Sequence, residues 1–419
     1  MRVLFTVSDW SAHYAPMVPL GWALQAAGHA VRVLCTPAQA EPVSRAGLTP
    51  VPLMGGLDMV TQTRLLYFWD AQAGRRPYPG LPLHPVTGEE LASLDDFDFP
   101  AWARENKREI ATAVKGNYEG TLDFARRWGA DLVVHDPLAV EGLLAAKVTG
   151  VPAVLHAWGP VGTDEEEPAL RLLPEDPAGF FPRHGVGELG PDLIEYVVDP
   201  CPESLRLPTR ARRLPVRYTP YNGPGAMPAW VLEPPARPRV CVIWGNSLTR
   251  MFGPRSFLVP EIVAALGGLD VEVVLTGTPQ DIAALGELPA NVRAFERFPL
   301  QFLLPACSAV VHHGGAGCAM TSVAAGVPQL ALTFAAEQQA NGTRVAAAGA
   351  GLHLRGDLAD RNTVRALVRR LLDEPSFAKS ARHLREENRA RPTQAALVGE
   401  LERLAADRTA GRTDGRAAA

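Results

Sequence analysis

The stretch VVHHGGAGCAMTSVAAGVP, residues 310–328, decides how the whole chain is read. A short β-rich run, SAVV, leads into His312 and His313, then into Gly314, Gly315 and Gly317, and then into an Ala-rich segment with helical character. In open α/β sheets, ligands bind beyond the carboxyl ends of the strands, and a following helix offers unpaired N–H groups at the positive end of its dipole. Glycines let the backbone approach an anion with no Cβ in the way. Gly314, Gly315, Ala316, Gly317 and Cys318 therefore have the character of a phosphate cradle. A strand-to-helix turn that only needs positive φ is the alternative on these residues alone.

Two other readings fit less well. Adjacent strand residues point to opposite faces, so His312 and His313 do not converge on one ion, and no nearby Cys, Asp or Glu completes a set. A dinucleotide fingerprint should follow the first strand, where SDWSAHYAPM stands instead.

Around this stretch, short apolar runs alternate with helical patterns. Arg2–Val7 reads as a strand, Pro16–Gly28 as a helix, VRVLCT (31–36) as a strand, and a further strand falls near TPVPL (49–53). DLVVHD (131–136) and PAVLHA (152–157) are buried-type strands joined by helix-like residues 138–149. The second half repeats the pattern with RVCVIW (239–244), VEVVLTG (271–277), NVRAF (291–295), SAVVH (308–312), PQLAL (328–332) and GLHL (351–354). Such alternation predicts two doubly wound α/β domains, each on a parallel sheet covered on both faces. Between them, PVRYTPYNGPGAMPAWVLEPPARPR (215–239) is dense in Pro and Gly and reads as an extended linker.

The expected division is a domain over 1–215, a linker over 216–235, a domain over 236–390, a helix over 391–408 crossing back to the first domain, and a flexible tail over 409–419. Residues 55–100 and 160–205 interrupt the first domain as long loops bearing Tyr67, Phe68, Trp69, Phe180 and Phe181. They read as an apolar substrate site or as packing cover.

Composition bounds the function. A chain of 419 residues suits two domains of roughly 200 each. A net charge of −4 gives no basic signature for nucleic acid. The first residues, MRVLFTVSDW, read as a strand and not a signal peptide, and no apolar run is long enough to span a bilayer. Five scattered cysteines, odd in number, fit free thiols in a reducing cytoplasm.

HHGGAG, followed by AAGVPQL and EQQANGTRVAAAGAGL (337–352), resembles the nucleotide-sugar motif of the family 1 glycosyltransferases with the GT-B fold. Within that family it is most similar in character to the actinomycete antibiotic glycosyltransferases that decorate polyketides with deoxysugars. MVPLGWALQAAGHAVRVLCTP near the start and PVRYTPYNGPG in the linker extend the resemblance over almost the whole chain. It implies two Rossmann-like domains facing across a cleft, with acceptor on the first and a dTDP- or UDP-sugar on the second.

By position, His313 resembles the histidine that contacts the donor diphosphate, beside the N–H groups of Ala316, Gly317 and Cys318. The family usually has Ser or Thr where Cys318 stands, so the resemblance implies that one side-chain hydrogen bond to phosphate is lost here while the backbone cradle remains. Glu337 and Gln338 match an Asp–Gln pair that holds sugar hydroxyls. Ser247 in IWGNS is placed to reach the phosphates, and Arg297 and Phe298 occupy the segment that brackets the base, where the family often has Trp.

Inverting transfer also needs a base for the acceptor proton, and a neutral histidine oriented by a carboxylate suits that task. His13 lies just beyond the first strand, where the resembling family carries its catalytic histidine; capping the next helix is the blander reading. Asp136 ends DLVVHD at the same edge and looks like the family's aspartate partner, whereas Asp9 reads as a turn or cap. If Asp136 itself acts as base, attack by carbon becomes conceivable.

The leaving diphosphate can be met by helix dipole, glycine amides and His313, so transfer is expected to need no metal or other cofactor. A helper protein docked on the first domain and a homodimer are compatible with the resemblance. Two rival functions are a non-catalytic, nucleotide-binding homologue that activates a partner enzyme, and a sugar-nucleotide epimerase. Retention of both His13 and the 312–317 loop favours transfer.

Overall fold

The computed structural model describes residues 1–76 and 78–417, apart from the side chains of Asn246 and of 408–417. Its contacts divide it into two units, Met1–Gly56 with Lys107–Pro224 and Asn388–Ala419, and Leu57–Asn106 with Gly225–Glu387. No helix among the described residues is long and apolar enough to cross a membrane.

The first unit holds a seven-stranded sheet: β1 (Arg2–Thr6), β2 (Ala30–Leu34), β3 (Pro50–Val51), β4 (Leu132–His135), β5 (Ala153–His156), β6 (Tyr196–Asp199) and β7 (Arg212–Pro215). All neighbours are parallel, in the order β3-β2-β1-β4-β5-β6-β7. The runs LVVH and AVLH are buried along their whole length, as a sheet covered by helices on both faces demands. The strand order reverses between β1 and β4, with Phe5 opposite Val134 and Thr6 opposite His135. The loops leaving these two strands therefore emerge side by side at the carboxyl edge.

The second unit repeats the plan with six parallel strands: β8 (Arg239–Ile243), β9 (Glu272–Gly277), β10 (Val292–Glu296), β11 (Ala309–His312), β12 (Gln329–Thr333) and β13 (Gly351–Arg355). Their order is β10-β9-β8-β11-β12-β13, so the reversal falls between β8 and β11. Val311 pairs with Val242 and His312 with Ile243.

Three features depart from the sequence reading. β6 and β7 lie where 160–205 reads as loop and the linker reading begins; their four-residue length and mixed polarity hide the strand signal. Residues 57–106, expected in the first domain, belong to the second unit and carry a helix at Met59–Gln72 and the start of the helix Phe99–Trp128. Aromatic packing explains the allegiance, because the Tyr67 ring lies 4.7 Å from that of Phe252 and Tyr78 lies 6.2 Å from Phe334.

The last departure is the closing helix, which runs Gln394–Ala417, through most of the stretch expected as a tail. Alanine and arginine are good helix formers and let it continue. Residues 418 and 419 of that tail lie outside the described residues. Leu397, Val398, Leu401 and Leu404 enter the core of the first unit, and Asn388 brackets the Tyr218 backbone, accepting from its N–H at 2.8 Å and donating to its carbonyl at 3.1 Å.

Helix Val140–Thr149 approaches β1 so closely that a Cβ at Gly142 would lie 2.1 Å from Thr6 Oγ1 and 2.9 Å from its Cγ2. Gly142→Ala should therefore cost about 1–3 kcal/mol through overpacking. Thermal unfolding should show a lowered Tm that Thr6→Ala partly restores in the double variant; an unchanged Tm in Gly142→Ala would refute this contact.

Candidate active site

In the first unit, β1 ends at Thr6 and the chain turns through Ser8 into a one-turn helix, Ser11–Tyr14, that carries His13. This helix replaces the loop expected there. Ser8 Oγ donates to Asp136 Oδ2 at 2.8 Å and lies 2.8 Å from His13 Nδ1. Since its proton goes to the carboxylate, Ser8 Oγ accepts from His13 Nδ1–H, and the Nε2 lone pair is left for a substrate proton. Asp136 accepts two more bonds from Leu138 and Ala139 N–H at 2.8 and 2.9 Å, and one from Ser8 N–H at 2.6 Å. Four donors around one carboxyl describe an ionised carboxylate, even though burial pushes its pKa above the usual range.

The direct His13–Asp136 contact implied by the sequence is thus absent. Ser8 stands between the two, and sequence reasoning missed it. Its only signal is a polar side chain where β1 meets the switch point. Asp9 accepts from Thr36 Oγ1 at 2.5 Å and Gln39 Nε2 at 3.3 Å, so it ties a turn together. His13 stacks on Trp158 with centroids 4.0 Å apart and planes 14° from parallel. Desolvation lowers the His13 pKa to about 3, which keeps the ring neutral, while the indole face can stabilise the imidazolium once a proton arrives.

In the second unit, β11 delivers His312, His313 and the glycines to the start of helix Ala316–Ala325. Gly314 has φ +84°, and a Cβ there would lie 2.7 Å from Thr333 Cγ2 and 2.8 Å from the Gln338 carbonyl oxygen. Only glycine fits this backbone. A Cβ on Gly315 would fall 2.5 Å from His313 Cε1, whereas a Cβ on Gly317 would meet open space. Gly315 is thus the close-packed glycine of that pair.

Gly315 N–H donates to His313 Nδ1 at 3.2 Å, which leaves the His313 proton on Nε2. That nitrogen is 3.9 Å from Cys318 Sγ. Ser247 and His313 flank Gly245, whose Cβ would stand 3.7 Å from Ser247 Oγ and 3.8 Å from His313 Nε2. The helix has no side-chain cap at its N-terminus, so the N–H groups of Ala316, Gly317 and Cys318 face outward with the dipole behind them.

Burial lowers His313 to about 3 and raises the Cys318 thiol to about 12, so this cluster is built from neutral groups. His312 is engaged elsewhere, with Nε2 2.9 Å from Gln329 Oε1 and Nδ1 accepting from Gly314 N–H at 2.9 Å.

The remaining residues divide. Glu337 opens helix Ala336–Ala347, and Gln338 Oε1 already accepts from Phe334 N–H at 2.9 Å, which leaves its amide nitrogen for a ligand. Arg297 is exposed in the left-handed region at φ +48°. Phe298 is buried instead, 5.7 Å from the Phe295 ring and 6.2 Å from Trp230, so its ring packs in the core. Among the described residues, no group of three or more His, Cys, Asp or Glu side chains is placed to hold a metal ion. All five cysteines are free thiols.

Two Rossmann-like sheets with polar loops at both switch points define a GT-B glycosyltransferase, and solved structures agree. Spinosyn rhamnosyltransferase SpnG complexed with thymidine diphosphate superposes with a TM-score of 0.75 at 31% identity, covering 96% of this chain and 100% of that one. The models for the N- and C-terminal domains of erythromycin biosynthesis protein CIII-like proteins match residues 108–245 and 260–404. Tylactone mycaminosyltransferase of Streptomyces fradiae is 36% identical, over 99% of this chain and 94% of its own length. The 10-deoxymethynolide desosaminyltransferase of Streptomyces venezuelae is also 36% identical, over 97% of each. The chain belongs to this erythromycin CIII-like family of glycosyltransferases.

Ser8→Ala should lower kcat on the order of ten- to a hundredfold while leaving dTDP affinity unchanged, because it frees the His13 tautomer without touching the second unit. A base whose pKa is lowered stays unprotonated as pH falls. In wild type, kcat/KM should therefore show no acid limb near the ordinary histidine value of 6.5; a limb centred there would contradict the assigned environment.

Proposed function

We propose that the chain is an inverting glycosyltransferase moving a deoxysugar from a dTDP- or UDP-sugar to a polyketide-type aglycone in antibiotic biosynthesis. The observation that carries the reading is the His13–Ser8–Asp136 chain, which presents a neutral Nε2 with a carboxylate behind it. His13 takes the proton of the acceptor hydroxyl as that oxygen bonds to the anomeric carbon. The bond from that carbon to the diphosphate oxygen breaks, and its electron pair leaves with the nucleoside diphosphate. The departing charge is met by the N–H groups of Ala316, Gly317 and Cys318 and by His313 Nε2–H, a preorganised electrostatic contribution. Ser247 supports the phosphates, Glu337 and Gln338 the sugar, and Arg297 the base. No metal or other cofactor takes part in this scheme.

Relatives named for mycaminosyl and desosaminyl transfer support a deoxysugar donor. A silent nucleotide-binding homologue would not require the intact relay beside His13. The free thiols suit a reducing cytoplasm. A helper protein or a second copy of the chain would show as a dependence of rate on added protein or on enzyme concentration.

Mass spectrometry of reactions combining dTDP- and UDP-sugars with aromatic polyketide and macrolide aglycones tests the proposal. It should reveal an adduct one deoxysugar heavier, formed equally well in EDTA. Wild type that binds dTDP yet glycosylates nothing in the panel would favour the non-catalytic reading, and loss of activity in EDTA would remove the metal-free scheme.

A further inference from the structure

The segment Leu57–Asn106 belongs to the second unit, and its aromatic side chains pack there. Asp58 caps its helix by accepting from the N–H groups of Val60 and Thr61, which fixes the face that carries Tyr67. The Tyr67 ring packs 4.7 Å from Phe252, Phe252 lies 6.1 Å from Phe334, and Phe334 lies 6.2 Å from Tyr78. The Arg355 guanidinium sits 5.2 Å over Tyr78 and pairs with Asp357 at 2.8 Å.

Phe334 follows β12 directly and is tied to Gln338 through its N–H. The four rings therefore border the start of helix Ala336–Ala347, where Glu337 stands. The Tyr67 hydroxyl lies within electrostatic reach of the Glu337 carboxylate and the Arg76 guanidinium. It makes no hydrogen bond among the described residues, and burial keeps the phenol a neutral donor. The Tyr78 hydroxyl is buried beside Thr333 without a well-formed hydrogen bond.

An apolar aromatic wall with a hydroxyl and a carboxylate at one end matches a sugar that has lost part of its oxygen. Deoxygenated carbons and a methyl group gain from ring faces, and a remaining hydroxyl or amino substituent needs a polar partner. We infer that Tyr67 is a specificity-determining residue for the donor sugar. Its hydroxyl contacts a polar substituent of the deoxyhexose, while the half-buried rings of Tyr67 and Tyr78 face the deoxygenated carbons and Phe252 and Phe334 anchor that wall in the core. The inference rests on the donor reading above and gives the 57–106 segment a part in sugar recognition.

Calorimetric titration of wild type and Tyr67→Phe with dTDP, dTDP-glucose and dTDP-L-rhamnose separates the cases, and the conservative variant keeps the ring packing. Affinity for dTDP should be equal in the two proteins. At least one dTDP-sugar should bind roughly three- to tenfold more weakly to the variant, the loss of one hydrogen bond. Equal affinities for every sugar nucleotide, or a loss for dTDP as large as that for its sugars, would overturn the inference. So would an effect of Tyr67→Phe confined to the acceptor KM in the transfer assay. Failure of wild type to bind dTDP at all would be a different result, since it removes the donor reading itself.

Discussion

Two parallel ladders hold everything else in place. Between β1 and β4, and again between β8 and β11, the strand order reverses, and the register brings two carboxyl ends out at one level. Helices that cover a parallel sheet on both faces leave this edge as the place where polar loops can meet without burying unpaired backbone. Ser8 and Asp136 meet because Thr6 pairs with His135. Ser247 and His313 meet because Ile243 pairs with His312. A slip of one residue in either ladder would turn these side chains to the opposite face.

Both clusters are electrically quiet until substrate arrives. Desolvation holds His13 and His313 neutral, each lowered to about 3, and Cys318 protonated. The fixed charge in the first cluster is the Asp136 carboxylate, shielded by four donors. A neutral base can accept a proton, and a neutral Nε2–H can bind a dianion without first shedding a counter-charge. In the proposed scheme the uncapped helix N–H groups attract the diphosphate, and they lie where Gly317 leaves open space.

How much of this was legible in the sequence depended on distance along the chain. The strand–glycine–helix turn at 313–318 could be read because its parts are contiguous, and the buried strands announced themselves as apolar runs. β6 and β7 could not, since YVVD and RRLP are too short and too polar to stand out from a Pro-rich surround. His13 and Asp136 were found separately, but the hydroxyl joining them was not, because nothing local marks Ser8 as facing a residue 128 positions away. Phe298 is ambiguous for the opposite reason: an aromatic beside a ligand segment fills a core as readily as it stacks on a base, and this ring packs in the core. The allegiance of 57–106 is a tertiary fact, set by Phe252 and Phe334, and no periodicity within that segment encodes it.

The central claim is a division of labour, with proton transfer assigned to His13 and diphosphate binding to His313. The most direct measurement is dTDP affinity by calorimetry together with turnover for His13→Ala and His313→Ala. The account predicts that His13→Ala abolishes transfer with dTDP affinity within about twofold of wild type, whereas His313→Ala weakens dTDP binding roughly tenfold, the loss of a charge-assisted hydrogen bond. Equal loss of binding in both variants, or unchanged dTDP affinity in His313→Ala, would contradict it.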